Sequence, residues 1–210
     1  MNKQNGDMIT ELLKAEYPDA ECSLQYEKDY ELLISTRLAA QCTDARVNMV
    51  TPALFARYTS PQAFAEADVR ELEGYIESCG LYKTKAADII EMCRRLVDVY
   101  GGKVPDNMED LLTLRGVGRK TANLILGDVY GKPAVVTDTH CIRISNRLGL
   151  ADSKDPRKVE DALREVIAPR EQNNFCHRLV MHGRAVCTAR NPKCEVCVLA
   201  KLCPSRIASQ

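Results

Sequence analysis

Residues 114–126, LRGVGRKTANLIL, set two glycines one residue apart and follow them with Arg119 and Lys120 at the start of an amphipathic run. Ala122, Ile125, Leu126 and Val129 recur at helical spacing, so a helix begins near Lys120 with that lysine opposite the apolar stripe. A cation there opposes the helix macrodipole, whose positive end is the N-terminus. The glycines permit a tight hairpin with positive φ, and the amide N–H groups of the helix start can then bind an anion such as a phosphate. Glycines alone favour an ordinary helix-to-helix turn; a lysine aimed away from the core gives the hairpin something to face. The positive helix end also favours a neutral amine over an ammonium, and a neutral amine can form a Schiff base at the anomeric carbon of a sugar. A lysine that only touches phosphate needs no such effect.

Outward from this hairpin the chain reads as helical. Apolar periodicity marks helices over 9–17, 30–39, 45–55, 69–76, 86–100, 108–112, 120–129, 139–148, 157–167 and 173–187, with a short one near Val198. PAVV at 133–136 is strand-like but too short to build a sheet. Gly131 and Pro133 stop the helix before it, which makes 130–136 the best candidate for a packing boundary.

The 210 residues suit one large domain or two small ones. No apolar run is long enough to cross a bilayer, and MNKQNGDMIT lacks the regions of a signal peptide, so a cytoplasmic protein is expected. Lys plus Arg equals Asp plus Glu at 29 each, but the balance is uneven along the chain. Residues 1–30 hold three basic against seven acidic side chains, 114–150 six against two, and 176–210 six against one. Two basic regions in an acidic remainder are what a phosphate-facing surface requires, although scattered solvated charges give the same count.

VVTDTHCIR at 135–143 ends an apolar run in Asp138 just before a helix. Asp is a preferred N-cap, and a cap is the simpler role; capping also fixes a carboxylate in place, so a catalytic role is compatible with it. CTARNPKCEVCVLAKLC carries Cys187, Cys194, Cys197 and Cys203 as C-x6-C-x2-C-x5-C. Four thiolates so spaced hold either zinc or an iron–sulfur cluster. Only one C-x2-C pair is present, which favours iron–sulfur. The other six cysteines, Cys22, Cys42, Cys79, Cys93, Cys141 and Cys176, have no such grouping and read as small core hydrophobes.

Together LLISTRLAAQCTDARVN, CGLYKTKA, LRGVGRKTAN, VVTDTHCIRISNRLGL and the four-cysteine tail resemble, in order and spacing, the endonuclease III family of bifunctional DNA glycosylases in the helix-hairpin-helix superfamily. The resemblance implies an all-α fold of two helical domains with a DNA-binding groove between them: 22–132 with the helix-hairpin-helix, and 1–21 with 133–210 carrying the cluster loop. It implies a 4Fe-4S cluster on the four cysteines, with a structural and DNA-positioning role. It implies Lys120 and Asp138 as catalytic residues, and Gln41 and Leu81 as the residues entering the space left by a flipped nucleotide. Gly116, Gly118, Arg119, Thr121, His140, Arg143, Arg190 and Lys193 are the further DNA contacts it implies.

The activity so implied is base excision repair on double-stranded DNA with oxidised pyrimidines or abasic sites, by a monomer associated with a bacterial or archaeal type nucleoid. Arg115 replaces the family's usual proline and adds a charge near the proposed phosphate site; Thr137 stands where valine is commoner. The mispair-specific adenine glycosylases differ: they lack the lysine and use a glutamate where this chain has only Arg37 in ISTRLAAQ. A helix-hairpin-helix module that merely binds bent DNA, and a zinc protein stapled by its tail, are the alternatives outside the family.

Overall fold

A computed structural model of the protein describes residues 3–207. Helices α1 (Lys3–Glu16), α2 (Asp29–Leu38), α3 (Asp44–Arg57), α4 (Pro61–Ala65), α5 (Val69–Ile76), α6 (Tyr82–Tyr100), α7 (Met108–Leu111), α8 (Arg119–Asp128), α9 (Thr139–Arg147), α10 (Pro156–Val166) and α11 (Gln172–Ala185) follow one another with no strand among the described residues. Three 3-10 turns, Glu77–Cys79, Pro169–Glu171 and Cys194–Val196, complete them. None of the described helices is long and apolar enough to cross a membrane. The chain divides into two compact units, an inner one of Ser23–Tyr130 and a terminal one of Met1–Cys22 with Gly131–Gln210.

The inner unit is organised around α6, on which α2, α4 and α5 pack. Ile89, Met92, Cys93 and Leu96 of that helix are fully buried. Burial pushes the Cys93 thiol up to about 12, which leaves it an inert core side chain. Side-chain caps start the surrounding helices: Thr43 accepts from the Arg46 amide at 3.2 Å, Asp68 from Glu71 at 2.9 Å and Asn107 from Asp110 at 2.9 Å. At α2 the Glu31 carboxylate reaches back to the Glu27 and Lys28 amides at 2.8 and 3.2 Å.

In the terminal unit α1 packs on α10 and α11, and α9 on α10 and α11. Ile9, Leu13, Ile144, Val159, Leu163, Phe175 and Leu179 close its core. A Cβ on Gly6 would lie 2.3 Å from the Val166 carbonyl oxygen, so the approach of α1 to the end of α10 depends on a residue without a side chain.

The expectation that PAVV builds no sheet holds: Ala134, Val135 and Val136 are buried in an irregular connector, where apolar residues on both sides serve burial. Several other expectations from sequence need correction. Helix α4 lacks the length to show periodicity, although Ser60 and Pro61 are a start signal, with Ser60 Oγ accepting from Ala63 at 3.2 Å. The short helix near Val198 is instead the 3-10 turn Cys194–Val196. Helices α1 and α6 begin earlier than their apolar stripes. Cys79, Cys93, Cys141 and Cys176 are buried, whereas Cys22 and Cys42 are half-buried.

Gly6→Ala is expected to lower stability by about 1–3 kcal/mol through overpacking. Gly74→Ala, in α5 with nothing within 4 Å of the new Cβ, is expected to gain roughly 0.5–1 kcal/mol. Chemical denaturation of the two variants checks both signs; equal effects would remove the close-approach argument.

Candidate functional site

Glycines 116 and 118 do different things. Gly116 has φ +77°, and a Cβ on it would sit 2.8 Å from Arg37 Cδ, so conformation and crowding both demand glycine. Gly118 has φ −101°, and a Cβ on it would meet nothing within 4 Å, so no part of this chain requires a glycine there. The absent side chain leaves room for the backbone of an outside molecule to approach. Gly118 is also the N-cap of α8, where it supplies no capping group, and the first turn holds no acidic residue. The positive end of α8 therefore meets no acidic side chain of its own, which is the condition for receiving an anion.

Lys120 stands exposed in that first turn, and its amine makes no hydrogen bond or ion pair among the described residues. Arg119 and Thr121 beside it are half-buried. The hairpin is tied down by a pair of ion contacts on one carboxylate. Asp88 of α6, 6 % exposed, accepts from Arg37 Nη2 at 2.7 Å and from Arg115 Nε at 2.9 Å. Arg115, expected to add charge near the phosphate site, pairs its guanidinium with Asp88, which holds the Arg115 pKa above its ordinary value.

Gln41 and Leu81 share a property that nothing in their local sequence announces. They are the two non-glycine residues with positive φ among the described residues, at 55° and 50°. The left-handed region strains a side chain with a Cβ, by about 1–3 kcal/mol, and such strain gathers at sites of function. Gln41 is exposed in the turn between α2 and α3; Leu81, 56 % exposed, precedes α6. Leu81 is thus a large apolar side chain held out in solvent on a strained backbone.

In the terminal unit Asp138 caps α9, its Oδ1 accepting from the Cys141 amide at 2.7 Å. The carboxylate is half-buried, and Oδ2 accepts no hydrogen bond among the described residues. One turn on, Arg143 Nη2 donates to the Cys187 carbonyl at 3.0 Å and contacts His140 Nδ1 at 3.1 Å. Arg143 therefore supports the cysteine loop. Arg190 is exposed, and Lys193, also exposed, donates to the Ala185 carbonyl at 3.2 Å at the end of α11.

Cys187, Cys194, Cys197 and Cys203 line one cavity of about 520 Å³ counted to its open mouth. Among the described residues no three metal-binding side chains converge tightly enough for a single metal ion. Four sulfurs lining one space are the donor set an iron–sulfur cluster takes. Polar hydrogens already point at two of the sulfurs. Arg147 Nη1 donates to Cys187 Sγ at 3.2 Å, while His182 Nε2 lies 3.4 Å from Cys197 Sγ.

Burial lowers the His182 pKa and raises that of Tyr17, so a neutral imidazole faces a protonated phenol. Tyr17 O–H donating to Nδ1 at 3.1 Å then assigns the remaining ring proton to Nε2, directed at the sulfur. Burial and the neighbouring sulfurs push the Cys197 and Cys203 thiols up. Four thiolates need a cationic centre among them, and an iron–sulfur cluster fits the donors that surround it. Sequence reasoning missed Asp88, Tyr17, Arg147 and His182, because each acts on a residue distant in the chain.

A family model described as HhH-GPD superfamily base excision DNA repair protein matches residues 34–169. A second, the iron-sulfur binding domain of endonuclease III, matches residues 187–203. Endonuclease III of Synechocystis sp. is 49 % identical, the match covering 99 % of this chain and 95 % of that protein. Endonuclease III of Escherichia coli is 39 % identical over 97 % and 96 %. Among solved structures, that of a trapped endonuclease III–DNA covalent intermediate superposes with a TM-score of 0.91 at 40 % identity, covering 98 % of this chain and 97 % of the other.

Protein purified without oxygen is expected to be brown and to carry about four irons per chain. Cys197→Ser should lose most of that iron, and Cys93→Ser should keep it. A colourless preparation holding one zinc per chain would contradict the cluster assignment.

Proposed function

We propose a function from one premise: the chain belongs to the HhH-GPD superfamily of base excision DNA repair proteins, in its endonuclease III family. It is a DNA glycosylase with AP lyase activity, and it carries a 4Fe-4S cluster on Cys187, Cys194, Cys197 and Cys203. One observation carries the reading of its chemistry. The amine of Lys120 is exposed and unengaged behind a glycine hairpin, in a chain that is 40 % identical to one solved as a trapped covalent intermediate with DNA.

The substrate is double-stranded DNA containing oxidised pyrimidines or abasic sites. Backbone amides from Gly118 to Thr121 receive a phosphate; Arg119, Arg190 and Lys193 add positive charge beside the strand, and His140 and Arg143 line it. The nucleotide must leave the stack, at a cost of about a few kcal/mol that damage reduces. Leu81 enters between base steps, and Gln41 offers its amide to the bases left unpaired.

The neutral amine of Lys120 then attacks C1′. The glycosidic bond breaks, its electron pair leaving with the base, and the resulting imine joins Lys120 to the opened sugar. Loss of a C2′ proton expels the 3′ phosphate by β-elimination and nicks the strand. Water releases Lys120. Asp138 stabilises the positive charge that develops on the sugar or accepts a proton, and its capping bond to Cys141 holds it ready. When bound, the cluster supplies a rigid scaffold for the basic loop that meets the strand, with no part in base removal. The protein works as a monomer in the cytoplasm, on the nucleoid.

Borohydride reduction should trap wild-type protein on a lesion duplex. Lys120→Ala should abolish the adduct while keeping affinity within about tenfold, because phosphate contacts elsewhere dominate binding. Asp138→Asn, which keeps the cap, should bind normally and react about 10²–10³-fold more slowly. Adduct formation by Lys120→Ala would assign the nucleophile elsewhere; no adduct with any lesion on wild type would leave only a binding module.

A further inference from the structure

The ammonium of Lys85 is fully buried, with no solvent-accessible surface, and it lies in the first turn of α6. Neither position favours a cation: burial lowers its pKa, and the N-terminal end of a helix repels positive charge. A methionine would fill the same space without either penalty. The two hydrogen bonds that a lysine adds identify its use. Nζ donates to the Leu38 carbonyl at 2.7 Å and to the Cys79 carbonyl at 2.9 Å.

Both acceptors are helix ends. Leu38 is the last residue of α2 and Cys79 the last of the 3-10 turn, positions whose carbonyls have no partner within their own helix. Three residues after Leu38 comes Gln41, and two after Cys79 comes Leu81. These are the same two non-glycine residues that hold positive φ. The thiols of Cys42 and Cys79 lie at the same junction; burial, together with the Cys42 thiol, pushes Cys79 up to about 11. Lys85 is the charged group that bridges the two turns.

We propose that Lys85 is a positioning residue for nucleotide extrusion: by holding both helix ends through one ammonium, it keeps Gln41 and Leu81 in their strained conformations and at a set separation. The inference rests on the reading that these two side chains occupy the space vacated by the extruded nucleotide. A relaxed turn at either carbonyl would let the left-handed residue return to a common conformation and withdraw its side chain. Because one ammonium serves both turns, loss of Lys85 disturbs both together, and its effect passes through Leu81.

The test uses the full-length protein and stopped-flow fluorescence of 2-aminopurine beside a lesion in a duplex. Lys85→Met should slow extrusion about tenfold or more, as Leu81→Ala should, while borohydride trapping on an abasic site in single-stranded DNA, where nothing needs prying out, stays within about twofold of wild type. The double variant should be no slower than the slower single one, because both changes remove one device. Equal losses on duplex and single strand, or losses that multiply in the double variant, would overturn the proposal in favour of a general structural role.

If Lys85→Met fails to melt cooperatively, Lys85→Gln, which keeps N–H donors on a shorter stem, is measured with the same expectations. A normal extrusion rate in Leu81→Ala would remove the wedge reading and this proposal with it. A slow Leu81→Ala beside a normal Lys85 variant would overturn this proposal alone.

Discussion

A charge inside an apolar core must be met by partners, and α6 buries two of opposite sign, Lys85 and Asp88, within one turn of each other. Stranding one member of such a contact typically costs about 3–5 kcal/mol, so the partners are tightly constrained in position. Those partners are the carbonyl ends of α2 and of the 3-10 turn for Lys85, and Arg37 and Arg115 for Asp88. The turn of Gln41, the turn of Leu81 and the glycine hairpin before Lys120 are thereby all referred to one helix. The strained turns and the uncapped helix start each lie within a few residues of these contacts. The Arg115 contact is the weakest of the set, since a mostly exposed guanidinium contributes little.

The terminal unit solves a different problem with the same means. Sulfur ligands for a multinuclear cluster must be ionised, spaced apart and shielded. Arg147 and His182 face the sulfurs, Tyr17 pairs with the far nitrogen of His182, and Arg143 holds the Cys187 carbonyl. Arg143 lies on the helix that Asp138 caps, so the capped carboxylate and the cluster loop belong to one supported element. A Cβ on Gly183 would sit 2.4 Å from His140 Nδ1, which shows how tightly α9 and α11 are pressed together there.

Features encoded by local chemistry were readable from the chain. Asp138 as a cap, the hairpin glycines, the lysine against the helix dipole and the four-cysteine spacing each involve residues within a few positions of one another. Features encoded by long-range contact were not. Lys85 in LYKTKA resembles any solvated lysine, and only its meeting with Leu38, 47 residues earlier, makes it an anchor. Positive φ is ordinarily signalled by glycine or asparagine, so Gln41 and Leu81 gave no warning. PAVV carried a strand's composition because burial on both faces selects the same residues. Likewise Gly118 looked like a conformational glycine, and only its ordinary φ and empty surroundings show that the fold itself does not require one there.

The whole mechanism turns on a covalent bond between the amine of Lys120 and the sugar. Mass spectrometric mapping of peptides from the borohydride-reduced adduct of the wild-type protein locates that bond without altering any residue. The sugar-derived mass is expected on the peptide containing Lys120 and on no other. The same mass on the N-terminal amine, or on Lys132, would contradict the assignment.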